Sequence, residues 1–209
     1  PVSNFILLEQ YEASRDADTW NRCVDEKLVS MPVTVCQVSS DQAKALITHT
    51  EIHLGAHHSP DLFHVQHETV KATSLALAGQ SRRAEQEREV AREKTETVRG
   101  QLQACTQQCP QSSHGQELQR QLVEAEAEGA TAGERLAACQ DRQQRAADAR
   151  QGLSRDYHPY ELDSGRPLQA DDMAERLAGH FETLEQVAVE ADLSSHAREK
   201  IAKARRVSD

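Results

Sequence analysis

Two runs of small apolar residues, each stepping round a helix at coiled-coil spacing, constrain this chain more than anything else in it. Val70, Leu77, Ala84, Ala91, Val98 and Cys105 recur every seven residues, and Leu118, Leu122, Ala125, Gly129, Ala132, Leu136 and Cys139 step by four and three. Between the runs, CPQSSHG with Pro110 and Gly115 is a turn cluster. The pattern predicts two long helices over residues 69–151, folded back on each other as an antiparallel hairpin with 110–115 at its tip. The seam is rich in Ala and poor in Leu, so it buries little per turn. Its many charges read as a solvated face.

Composition agrees with a chain that has no single large core. Only 3% of the 209 residues are aromatic and 28% are charged, and the aromatic residues lie before Leu62, at Phe63, or from Tyr157 onward. Five cysteines, an odd number at 23, 36, 105, 109 and 139, form no disulfide framework, which favours a reducing cytoplasm. No apolar run approaches the roughly 20 residues that a membrane helix needs. The net charge of -10 argues against a general nucleic-acid coat and leaves room for a local DNA-binding face. The chain opens on Pro1 and an apolar run, and closes on a basic helical run with no terminator; both ends read as the edges of an internal piece.

Ahead of the hairpin the pattern alternates. Residues 2–12 have the apolar and β-branched content of a strand, and 14–28 turn helical with Trp20, Val24 and Leu28 on one face. Pro32 breaks that helix, and VTVCQV at 33–38 is a second strand ending at Ser39, Ser40 and Asp41. A helix from Gln42 carries Ala43, Leu46, Ile47 and Leu54 on one face until Gly55, and SPDLFHV at 59–65 is a third candidate strand. Strands alternating with helices imply crossovers onto a mostly parallel sheet, in which the first two strands pair. After the hairpin, 156–170 is loop-like. Asp171 and Asp172 can cap a helix bearing Met173, Leu177, Phe181, Leu184 and Val187, and a last helix starts at Ser194 or Ser195.

Asp41 is the most informative position. At the carboxyl end of a strand and ahead of a helix, where open α/β sheets place ligands, its carboxylate can hold a divalent cation; the competing reading is an N-cap for the helix at Gln42. Six of the ten histidines, His49, His53, His57, His58, His64 and His67, crowd one stretch. Imidazoles at i and i+4 can share zinc, but no third ligand stands at a standard spacing and Gly55 interrupts the face, so they read chiefly as polar surface, and otherwise as nucleic-acid or active-site contacts. Cys105 and Cys109 can clip a metal at the hairpin tip or simply fill the seam, and the seam reading is the stronger. No Ser/His/Asp constellation or phosphate loop is present.

Residues 35–68 (VCQVSSDQAKALITHTEIHLGAHHSPDLFHVQHE) resemble the middle of DDE-type transposases: Ser40 and Asp41 end a strand, Ala43, Lys44, Ala45 and Leu46 open a helix, and a following strand ends near His64. DLFH at 61–64 and YHPY at 157–160 are similar to an insertion-sequence group with a long Gln/Glu/Arg-rich helical insertion. The resemblance implies a fold of α/β plus α class. A partial ribonuclease-H-like catalytic core would occupy 1–68, a coiled-coil hairpin insertion 69–151, and a loop with C-terminal helices returning to the core 152–209.

It also implies metal-dependent DNA cleavage and strand transfer in the intact parent. Three carboxylates there hold two Mg²⁺ ions roughly 4 Å apart. Asp41 matches the second carboxylate, the first lies upstream of Pro1, and no motif chooses the third among Glu175, Glu182 and Glu185 or a residue beyond Asp209. Transposon-end and target DNA are the implied partners, with a homo-oligomer possible and no membrane. The competing class is a coiled-coil structural or interaction protein without catalysis; a third is a His-rich metal-binding module.

Overall fold

A computed structural model of the chain describes residues 7–108, 113–158, 161 and 163–208. It is mainly helical, with one small parallel sheet. Its contacts divide it into two units, one formed by residues up to His67 together with those from Lys203, the other by Glu68–Ala202.

In the first unit, α1 (Ala17–Leu28) starts where Asp16 accepts the Thr19 N–H at 2.8 Å, satisfying one of the amides a helix start leaves orphaned. Strand β1 (Gln37–Ser40) pairs in parallel with β2 (His57–Pro60), Gln37 opposite His57 and Ser40 opposite Pro60. The link between them is α2 (Lys44–Ile47), which runs on as a π-helical stretch (Thr48–His53). Gly55, at φ +62°, takes the left-handed conformation that turns the chain out of that stretch, which glycine adopts without the Cβ penalty.

The π-helical stretch packs against α1. His49, 3% exposed, shares a 2.7 Å hydrogen bond with Asn21, and His53 meets Asp25 at 2.8 Å. Residues 21 and 25 are one turn apart on α1, so the two histidines, stacked with centroids 5.7 Å apart, zip onto one face of it.

Several sequence expectations are corrected here. Residues 7–12 form no strand, and 2–6 lie outside the described residues. The second strand sits at 37–40 rather than 33–38, and among the described residues it pairs with β2 and not with 7–12. The third strand is His57–Pro60; the chain then enters α3 (Leu62–Gln108), so DLFHV is the start of a helix. The cause is Asp61: its Oδ1 accepts the Phe63 N–H at 3.0 Å and its carbonyl accepts from Val65 N–H, closing a first turn where β-propensity suggested a strand.

In the second unit, α3 and α4 (Ser113–Asp156) form the antiparallel hairpin, although 109–112 at the predicted tip lie outside the described residues. The seam follows the heptad from Leu77 to Val98, whereas Val70, expected on it, is 42% exposed. Leu77, Ala84, Ala91 and Val98 are buried on α3, as are Leu118, Leu122, Ala125, Leu136 and Cys139 on α4. Ala84, Leu136 and Cys139 form one packed cluster, which accounts for Cys139; Cys105 is half-buried and Cys109 lies outside the described residues. Register is marked by Arg135–Glu87 at 2.7 Å, Lys94–Glu128 at 2.6 Å and Arg99–Glu126 at 2.9 Å. Such exposed pairs each contribute under about 1 kcal/mol, so the seam carries the stability.

Helix α5 (Ala170–Glu190) packs on α4 through Leu177, Phe181, Leu184 and Val187, all buried as its periodicity requires; its N-cap is Gln169, with Asp171 and Asp172 in the first turn. Asp192, at φ 45°, ends it, and Leu193 N–H reaches back to the Ala188 carbonyl at 2.9 Å. The side chain of Gln80 on α3 covers the Ala191 carbonyl at 2.7 Å. Ser194 Oγ accepts the Ala197 N–H at 3.2 Å at the start of α6 (Ser195–Ser208). No helix among the described residues is long and apolar enough to cross a membrane.

Candidate functional site

The carboxyl edge of the β1–β2 pair gathers the residues that carry chemistry in the first unit. Both strands end in the same way. Asp41 directly follows β1 and its Oδ1 accepts the Ala43 N–H at 3.0 Å; Asp61 directly follows β2 and its Oδ1 accepts the Phe63 N–H at 3.0 Å. Each aspartate thus makes an Asx turn that swings the chain from strand to helix. Because Ser40 stands opposite Pro60 and the Asp61 N–H donates to the Ser40 carbonyl at 2.9 Å, the parallel register brings the two turns to one edge.

Asp41 is therefore neither free nor the N-cap expected at Gln42. The helix begins at Lys44 with Ala43 as its N-cap residue, and Asp41 braces the turn in front of it with one carboxylate oxygen.

Two histidines complete the edge. Ser40 Oγ donates to the Asp41 carbonyl at 2.9 Å and lies 2.8 Å from His58 Nε2, so with the hydroxyl hydrogen committed, His58 is the donor. His64 Nδ1 lies 3.1 Å from Asp61 Oδ2, and Phe63, 65% exposed, stacks on His67 with centroids 5.7 Å apart. Of the six clustered histidines, His49 and His53 face α1, while His57 and His58 are on β2, so 49, 53 and 57 share no helix face. No group of three or more His, Cys, Asp or Glu converges as a metal site among the described residues.

Glu175, Glu182 and Glu185 all lie on α5, the first two exposed and the third half-buried. Sequence reading missed another carboxylate. Asp156, at the end of α4, is 5% exposed and accepts from His180 Nε2 at 2.7 Å and from Arg155 Nε at 3.2 Å. Burial pushes this carboxyl up, but the hydrogen bonds from Arg155 and His180 outweigh it and hold it below the ordinary aspartate value. Its partner His180 is on another helix, a separation that no local motif signals.

Compared with protein-family models, with curated proteins and with solved structures, the chain matches none.

Proposed function

We propose that the chain is a piece of a DNA transposase of the DDE type, with the β1–β2 pair belonging to a ribonuclease-H-like core and Asp41 supplying one metal-holding carboxylate in the intact parent. The observation that supports this reading is the position of Asp41, one residue past the carboxyl end of a parallel strand and at the same edge as Asp61. That edge is where parallel sheets present catalytic groups. Transposon-end and target DNA are the partners under this reading, the cytoplasm its location, and a homo-oligomer its working form.

The donor type suits Mg²⁺, a hard cation that takes carboxylate oxygens and completes its shell with water and substrate phosphate. Asp41, with one oxygen engaged by the Ala43 N–H, would hold it, whereas both Asp61 oxygens are taken, Oδ1 by the Phe63 N–H and Oδ2 by His64 Nδ1; bound at Asp41 the ion would neutralise charge developing on a scissile phosphodiester. The donor number does not reach what two ions need among the described residues, so the chain by itself is expected to be inactive.

The test is Asp41→Asn in the full-length parent, assayed for strand cleavage and joining in Mg²⁺ and in Mn²⁺. Asparagine keeps the Ala43 hydrogen bond and removes the charge. Loss of both reactions is the expected result; transposition at the normal rate makes Asp41 a turn residue and overturns the assignment.

The second reading, a coiled-coil interaction protein, draws on the α3–α4 hairpin with its continuous small-residue seam. It predicts that a parent carrying Asp41→Asn keeps all its function.

A further inference from the structure

Arg150 lies half-buried on α4, across the seam from α3. Its Nη1 donates to Thr73 Oγ1 at 2.7 Å, and the fully buried Thr73 sends its own hydroxyl hydrogen to the Thr69 carbonyl at 2.8 Å. The threonine is thereby fixed as an acceptor and holds one arm of the guanidinium in place. A guanidinium has five N–H donors and stays charged at any working pH. Among the described residues no carboxylate pairs with this one, and its only hydrogen bond is the one to Thr73.

The contrast with the other arginines is direct. Arg22, Arg92, Arg120, Arg145 and Arg155 each have a carboxylate that stabilises their charge and raises their pKa. For Arg150 burial acts alone and lowers it. A partly desolvated cation without a counter-charge costs folding free energy until an anion arrives.

We propose that Arg150 is the seat of a phosphate-binding site between α3 and α4, with Thr73 orienting the fork toward the oxyanion. A planar guanidinium grips phosphate oxygens in pairs, which a lysine cannot do. Naming a DNA phosphodiester as the source rests on the transposase reading; free phosphate has the same chemistry and is tested separately.

The experiment uses the 209-residue chain, its Arg150→Gln variant and, as control, Arg92→Gln, which removes an exposed and already paired arginine. Gln at 150 removes the charge and, being about two bonds shorter, the hydrogen bond to Thr73 as well. Thermal midpoints are read in chloride and in inorganic phosphate at equal ionic strength, and binding of a fluorescent duplex is read by anisotropy at low salt. Phosphate should raise the midpoint of the wild type and of Arg92→Gln but not of Arg150→Gln, since a ligand of the folded state stabilises it. Duplex affinity should fall by about tenfold in Arg150→Gln, equivalent to about 1.4 kcal/mol.

An undiminished phosphate response in Arg150→Gln, or none in the wild type, overturns the site. An Arg150-dependent phosphate response without duplex binding supports the site, assigns it to free phosphate, and counts against the transposase reading alone.

Discussion

The imidazole of His180 occupies the space that a side chain at Gly152 would need: a Cβ there would stand 2.1 Å from His180 Cε1. Glycine in the last turns of α4 is thus required for contact, since its φ is ordinary, and it lets His180 reach the buried Asp156 at 2.7 Å. Gly152→Ala should destabilise the second unit despite the helix propensity it gains. Alanine is better than glycine in a helix by about 1 kcal/mol, but overpacking costs about 1–3 kcal/mol, and a displaced His180 leaves Asp156 short of a donor. In a His180→Ala background the clash is gone and Gly152→Ala should turn neutral or stabilising. Urea unfolding of the four proteins reads the cycle; the same loss in both backgrounds would mean that His180 is not what Gly152 accommodates.

Asp156 should also govern part of the acid response. Its folded pKa is depressed below the ordinary 3.8, so its contribution is fully present above that value and is lost as pH falls through the folded one. The unfolding midpoint of Asp156→Asn should therefore decline less steeply than that of the wild type below pH 3.8. Parallel declines would show that Asp156 is not linked to folding.

His49 acts in a higher window. Burial lowers its pKa from 6.5, the neighbouring His53 lowers it further, and Asp25 opposes them. A histidine buried neutral leaves stability intact above 6.5 and removes it as pH falls below that, because the unfolded chain takes up a proton that the folded chain resists. Packing of α1 on the π-helical stretch should loosen between neutral and mildly acid pH. Amide exchange of α1 would report it, and His49→Gln should flatten the response; an unchanged slope in that variant would exclude His49 as the cause.

The hairpin offers a packing test. Ala125 is 0% exposed on the seam, so a larger side chain there has no solvent to turn into. Ala125→Leu should cost about 1–3 kcal/mol through overpacking. Val123→Leu, at a position 58% exposed, should change little. If calorimetry shows both to be neutral, the seam is looser than its burial indicates.

How far the sequence could be read depended on whether a signal was local. The seam was legible because each buried residue repeats at a fixed helical step, and α5 for the same reason with Leu177, Phe181, Leu184 and Val187. Strand β2 was misplaced because HHSP has no apolar alternation; it is a strand only because it pairs with β1. DLFHV looked like a strand by composition, but Asp61 after Pro60 is a helix-start signal, with Val65, Thr69 and Ala72 buried at helical spacing behind it. Asp41 could be found as the last polar residue of an apolar run. The Asp156–His180 and Arg150–Thr73 pairs could not, since their partners lie on different helices and meet only when the helices pack.

The last prediction separates the structural role of Asp41 from its proposed chemical one. The structural role is the hydrogen bond from the Ala43 N–H to Oδ1, which an asparagine carbonyl oxygen can accept equally well. Asp41→Asn should leave the thermal midpoint of the 209-residue chain unchanged, whereas Asp41→Ala should lower its stability by about 1 kcal/mol, as loss of a capping side chain does. Asp61→Asn and Asp61→Ala should follow the same order, because the Phe63 N–H is held in the same way. In the full-length parent Asn at 41 should then abolish strand cleavage while the fold stays intact, so that lost activity cannot be attributed to a lost turn. Should Asp41→Asn destabilise the chain as much as Asp41→Ala, the turn would depend on charge, and loss of transposition in that variant would no longer identify Asp41 as a metal-holding residue.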